Sequence, residues 1–475
     1  MLNLRPIVYS FFVLWLAAFV LADLCTGQSP PPVEWERTYG GQSWDYGVSV
    51  DEVVGGGYLV AGGTASFGDD IGGNVYLARL DASGKMIWER AYGEGGAVAM
   101  HVEETSQGEF IVVGMTGLNQ SAGQMLSLYL LKTDINGEPI WEKTFPSFGW
   151  GSYVEEVAEG GYVVTGNGGD IFHAQAYILR TDEDGVPLWD SRIDGFGGTG
   201  VGTIHQTMDG GFILSGMTAL DGPGAIGEPY IAHTDIAGYV LWEKKFGIGS
   251  VASAQETEDG KFVLSALRYI EEPVPGGPGA YSLLVQLNLE GEEEWRTEMA
   301  APETSTQALD ITPDGRFVVL GTSYAFPSSR RESHLIKSDR LGCLWSLRFA
   351  GTDSYSGGFA RVTRDGGYIV VGSANNDVYV AKLGPEDPDN GFVRGNADGN
   401  GSEDLTDGVF VLNYLFQGGP RPASLDAADS NDDGTVDLTD AVYFLNYLFL
   451  GGPPPLSPHP QAGSDPTHDQ LGCQG

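Results

Sequence analysis

Between residues 33 and 384 apolar positions never fall at helical spacing; short runs of β-branched and aromatic residues alternate with turns rich in glycine and aspartate. The pattern repeats. A turn, an aromatic residue and a β-rich run recur as GGGYLVAGG, QGEFIVVGM, EGGYVVTGN, DGGFILSGM, DGKFVLSAL, DGRFVVLGT and DGGYIVVGS. Tryptophans follow in the same phase at Trp35, Trp88, Trp141, Trp189, Trp242, Trp295 and Trp345, spaced by 53, 53, 48, 53, 53 and 50 residues. Before six of them stands an alternating run broken by a D-x-x-G turn or a near variant, as in VYLARLDASGKMIW and LYLLKTDINGEPIW. Aspartate bonds the backbone ahead of it and glycine accepts positive φ, so these stretches predict hairpins.

Each unit of about fifty residues thus supplies four short strands, which predicts a β-propeller blade, with an open β-solenoid as the alternative. The ends favour closure. The first unit begins with only a tryptophan strand, VEWERTYGG, and the last stops after DVYVAKL without one, so pairing the two completes a seventh sheet. Tyr58, Tyr162 and Tyr368, which follow the turns, are expected in blade cores.

The D-x-x-G-x-x-x-W stretches resemble the tryptophan-docking turns of quinoprotein-type propellers and, more loosely, the aspartate boxes of sialidase propellers. The resemblance implies a fold. The adjacent cysteine pair that the quinoprotein alcohol dehydrogenases place against the quinone is missing, and Arg330 and Arg331 do not recur in blade phase as a sialidase cluster would.

Residues 385–394 read as a Pro/Asp/Asn linker, after which the texture changes. Two segments, NADGNGSEDLTDGVFVLNYLFQGGP from Asn396 and DSNDDGTVDLTDAVYFLNYLFLGGP from Asp429, align without gaps at an offset of 33. Each places oxygen-bearing residues at the spacing of an EF-hand loop: Asn396, Asp398, Asn400, Asp404 and Asp407 in the first, Asp429, Asn431, Asp433, Asp437 and Asp440 in the second. Gly401 and Gly434 take the sharp turn, and Ser402 and Thr435 supply a backbone carbonyl. A hard cation the size of calcium needs six or more oxygens, and these loops can deliver them; magnesium, which keeps its waters, suits them less. Two calcium ions are expected.

Helices are predicted over Thr406–Phe416 and Thr439–Phe449, with Val409, Leu412, Leu415 and Phe416, and again Val442, Leu445, Leu448 and Phe449, on one side. A loop followed by a single helix, duplicated over residues 395–455, resembles a type I dockerin, a small α-helical double EF-hand-like module. The resemblance implies partner recognition through Leu405-Thr406 and Leu438-Thr439, and a cohesin-like or cell-surface protein as partner. Asn413-Tyr414 and Asn446-Tyr447 replace the basic residues common in cellulosomal dockerins. Residues 456–475 are expected to form a flexible tail.

Residues 1–22 carry one arginine, an apolar run and a small-residue exit, the pattern of a secretion signal, with an uncleaved anchor as the alternative. Leu24 before Cys25 argues against lipidation. The expected location is extracellular, periplasmic or at the cell surface. Lysine and arginine number 25 against 64 aspartate and glutamate, a net charge of −39 that disfavours nucleic acid and anionic lipid. Three cysteines exclude a disulfide framework; Cys343 and Cys473 could pair.

No H-x-x-H, G-x-S-x-G or P-loop is present, and the seven histidines, among them His101 and His205, are scattered. The expectation is a mostly β, seven-bladed propeller that binds a polysaccharide or protein without catalysis, carried with a calcium-dependent docking module. The alternative is a polysaccharide hydrolase or lyase whose acids come from different blades.

Overall fold

The computed structural model describes residues 30–461, apart from 69–72, 94–95, 119–125, 169–174, 194–195, 219–227, 248, 270–279, 303–304, 326–329, 350–357, 387–391, 400–401 and 423. The expected signal segment therefore lies outside the described residues. Seven antiparallel four-stranded sheets form the blades. Blade 1 begins at Asp45, blade 2 at Ala97, blade 3 at Trp150, blade 4 at Phe196, blade 5 at Gly249, blade 6 at Ser305 and blade 7 at Phe359. The N-terminal strand Val33–Tyr39 pairs with Asp377–Leu383 as the outermost strand of blade 7, matching Val33 to Leu383 and Tyr39 to Val378. The ring closes as the chain ends predict.

The two middle strands of blade 1, Tyr58–Thr64 and Asn74–Leu80, are buried at every position, because a neighbouring blade covers each face. The core is accordingly split into seven apolar clusters, one between each pair of adjacent blades. Tyr58, Tyr162 and Tyr368 are buried within them. The outer strands face solvent on one side and alternate, as in Pro139–Phe145.

Tryptophans of the outer strands lock adjacent blades together. The Trp35 indole donates to the Ala82 carbonyl at 3.0 Å, Trp88 to Ile135 at 3.3 Å, Trp141 to Glu183 at 3.3 Å and Trp242 to Leu289 at 2.8 Å. Each acceptor sits one residue after the Asp or Asn that opens the next blade's turn. Asp81 Oδ1 accepts the Ser83 and Lys85 amides at 2.9 Å, and Gly84 at φ 76° gives the indole room. Blade 7 has no such turn, since the chain break lies there; Glu386 replaces it and accepts from the Trp345 indole at 3.0 Å.

After the propeller come α1 (Leu405–Gln417), α2 (Leu425–Ala428) and α3 (Leu438–Leu450). The long helices start within one residue of expectation, each capped by an aspartate, Asp404 or Asp437, and ended by a left-handed glycine, Gly418 or Gly451. Two details differ from expectation. The four-residue α2 precedes the second loop, where no preceding helix was expected. Residues 456–461 are held rather than flexible: Arg394, fully buried, donates its amide to Pro458 and its Nε to the Ser457 carbonyl, and His459 meets Glu403 at 2.9 Å. Cys343 is disulfide-bonded, and Cys473 lies outside the described residues. Among those residues no helix is long and apolar enough to cross a membrane.

Candidate functional sites: paired acidic loops and a polar channel

The duplicated loops fold alike. Position 12 of each, Asp407 and Asp440, is fully buried. Asp407 accepts the Asp398 amide at 3.2 Å and the Asp404 amide at 2.9 Å; Asp440 accepts those of Asn431 at 3.3 Å and Asp437 at 2.8 Å. Asp429 is also fully buried and accepts from the amides of Asp433 at 3.2 Å and Gly434 at 2.9 Å, across the turn that Gly434 makes at φ 80°. Thr406 and Thr439 are tied to the cap aspartates Asp404 and Asp437, Thr406 also to Asp398, and Thr435 to Asp433. Burial, with the Asp398 charge beside it, pushes Asp407 up to about 6; burial, with Asp429 beside it, pushes Asp440 up to about 7.

Asn400 and Gly401 lie outside the described residues, and among the described ones no three carboxylate, imidazole or thiolate groups surround one point. The cap aspartates face their own helix ends instead. In the first loop, however, Asn396 Oδ1 is buried without a hydrogen-bond donor. A buried acceptor lacking a donor, in a loop whose last carboxylate is raised mainly by burial, is a donor set that suits a cation.

The helices bury only part of the stripes expected on one side of them. The core between them is Ala397, Val411, Ala428 and Ala441, with Leu412 and Leu415 half-buried against it. Leu405, Val409 and Phe416 are exposed, and so are Leu438, Val442 and Phe449, the same three positions 33 residues on. Two equivalent apolar stripes therefore face outward, each beginning at the leucine of an expected recognition pair.

The second site was not anticipated. Seven positions before the aromatic of each blade, the innermost strands carry Asp51, Glu103, Glu155, His205, Gln255, Asp310 and Arg361, all one register step from the strand end. They line one end of the central channel as a polar ring. Part of the ring is structural. Asp51 accepts the Glu104 amide at 2.9 Å, Glu103 that of Glu156 at 3.3 Å, Glu155 that of Gln206 at 2.8 Å and Asp310 that of Val362 at 2.8 Å, each bond reaching into the next blade. The residues one step on reach back: Glu156 binds the Ser106 amide, Gln206 that of Ala158 and Glu52 that of Arg364. Arg361 Nε lies 3.5 Å from Asp51, and His205 Nδ1 lies 2.7 Å from Glu155.

Two residues deeper stand His101, Tyr153 and Phe359. His101 stacks on Tyr153 with ring centres 3.7 Å apart and meets Phe359 edge-on at 5.5 Å. Phe359 packs against clusters on opposite sides of the ring, so these side chains plug the channel. A bulge in the innermost strand, just before the deeper position, recurs in blades 1, 2, 3, 5 and 6 and turns that position inward. Burial and the Glu155 carboxylate push Glu103 well above the usual range; burial and the Arg361 charge push His101 well below its own.

No family model and no curated protein matches the sequence. Among solved structures the chain is similar to hydrazine synthase of Kuenenia stuttgartiensis, at 12% identity and TM-score 0.52, covering 73% of this chain and 98% of that one. It is also similar to the WD40 β-propeller domain of Doa1, at 12% identity and TM-score 0.47 over 74% of this chain and 97% of that one. An ulvan lyase matches at 10% identity and TM-score 0.49 over 74% and 96%. At 12% identity the likeness to the hydrazine synthase speaks for the propeller fold alone.

Proposed function

We propose that this is a secreted, non-catalytic propeller that binds an extracellular or cell-surface ligand, and that its C-terminal module docks in a calcium-dependent way onto a cohesin-like or other surface protein. The observation that carries the docking reading is the duplicated stripe, Leu405, Val409 and Phe416 with Leu438, Val442 and Phe449, exposed in front of two acidic loops. Apolar side chains left in water at symmetry-related positions suit a partner that buries them. In each loop Asx and Asp oxygens would hold one calcium ion, and the ion would fix the start of the helix that presents the stripe. Thr406 and Thr439 would flank the contact. Binding rather than catalysis is favoured because most channel carboxylates already hold backbone amides of a neighbouring blade, which leaves few acids free to move protons.

The test is retention of partners from the native secretome on the immobilised full chain. Capture in calcium that is lost in chelator, and lost when Leu405→Asp and Leu438→Asp are combined, is the expected result. Capture that ignores both changes removes the docking reading. Release of reducing ends or unsaturated products from a polysaccharide panel would replace binding by catalysis.

A further inference from the structure

We propose that the plugged half-channel, walled by Glu103, Glu155 and Asp310 and floored by His101, Tyr153 and Phe359, binds a slim organic cation. The group recognised is an ammonium or guanidinium, carried by a free amine or by a basic side chain of a peptide. This deepens the binding reading by naming a ligand class, and it rests on the propeller alone, not on the calcium loops.

The first argument is charge balance at one level of the channel. Four carboxylates, Asp51, Glu103, Glu155 and Asp310, face a single guanidinium. That guanidinium lies near Asp51 at 3.5 Å and over the Phe359 ring at 5.4 Å, and its charge is shared with Asp310 and Glu103. Glu103 gives one oxygen to the Glu156 amide, and among the described residues its second oxygen takes no hydrogen bond. Burial first, and then the Glu155 charge, push Glu103 up, and a cation bound beside it would favour its ionised form.

The second argument is independent of the acids. His101 is 1% exposed, and its Nδ1 lies 3.0 Å from the Val154 carbonyl. A carbonyl only accepts, so Nδ1 carries the proton and Nε2 is a bare lone pair; it has no partner. On the strand His101 faces the same way as Glu103, and its titration feels both Arg361 and His205, which places it at the ring. A buried acceptor without a donor calls for an N–H from outside. His205 repeats the arrangement: its Nδ1 is bound to Glu155 and its Nε2 is unpartnered.

An anion fits less well, since it would meet four carboxylates.

Calorimetric titration of the full chain in chelator, with acetyl-Ala-Arg-Ala-amide, its citrulline counterpart and spermidine, tests this. Saturable binding of the arginine peptide or of spermidine, no binding of the citrulline peptide, and about tenfold weaker binding by Glu103→Gln are expected. Binding of one cation but not the other identifies the source of the group. Glutamine keeps an oxygen for the Glu156 amide, so the variant's circular dichroism should match the parent's. Should it misfold, the arginine-to-citrulline contrast on the unaltered chain still decides. Absence of saturation by either cation, equal binding of citrulline, or an unaffected variant would overturn the proposal, whatever the calcium loops do.

Discussion

Replacing Gly84 by alanine tests whether the tryptophan-to-turn contact holds neighbouring blades together at the ring closure. Gly84 sits at φ +76°, and a Cβ there would lie 2.7 to 2.9 Å from three carbons of the Trp35 ring. Two costs add. The left-handed backbone costs a non-glycine residue about 1 kcal/mol. Pushing the indole away forfeits its 3.0 Å bond to the Ala82 carbonyl, a net loss of about 1 kcal/mol, and about as much again in ring contacts. Gly315→Ala is the control, since Gly315 has φ +74° but nothing within 4 Å of its Cβ position, so only the backbone cost applies. Equilibrium urea unfolding followed by tryptophan fluorescence should show Gly84→Ala less stable than Gly315→Ala by about 2 kcal/mol. Equal losses would refute the claim that the indole contact stabilises the closure.

Burial and the nearby Arg348 charge push His334 down to about 3, so below the ordinary pKa near 6.5 the unfolded chain takes up a proton that the native one refuses. Stability should fall as pH drops from 6.5 towards 3, and between pH 6.5 and 5 His334→Leu should abolish about 2 kcal/mol of that fall, measured by urea midpoints. An unchanged slope would mean that His334 titrates normally. Arg421 reaches from the C-terminal module to Asp339 in blade 6 at 2.7 Å, where Asp339 is 3% exposed. Arg421→Ala should lower stability by about 1–3 kcal/mol and speed proteolytic cutting within residues 385–394; unaltered cleavage would show that this pair does not anchor the module.

The propeller was legible because its signal is spatially redundant. Seven tryptophans, seven aromatics after the turns and six aspartate or asparagine turns all share one period, and the incomplete first and last units could only be completed by each other. The channel ring was not legible by residue type. Its members, Asp51, Glu103, Glu155, His205, Gln255, Asp310 and Arg361, differ in chemistry from blade to blade, and only their constant spacing from the aromatic links them. Reading down the repeats rather than along the chain would have grouped His101 with Tyr153 and Phe359. Helix starts could be read from Asp404 and Asp437, whose side chains cap the first turn. Helix facing could not, because α1 is apolar around much of its circumference and the buried side is set by small residues: Gly408 lies against Leu445, where a Cβ would come within 2.9 Å. The packed residues 456–461 were missed because the buried partner that holds them, Arg394, lies in the expected linker.

Equilibrium dialysis of the full chain against calcium, with Asp407→Ala and Asp440→Ala variants alongside, puts the proposed role of the C-terminal loops to the most direct test. The expected result is two ions bound per chain and one in each variant, with helix content and protease resistance rising on loading. No bound ion at millimolar calcium, or two ions retained by both variants, would contradict the reading of these loops as cation sites.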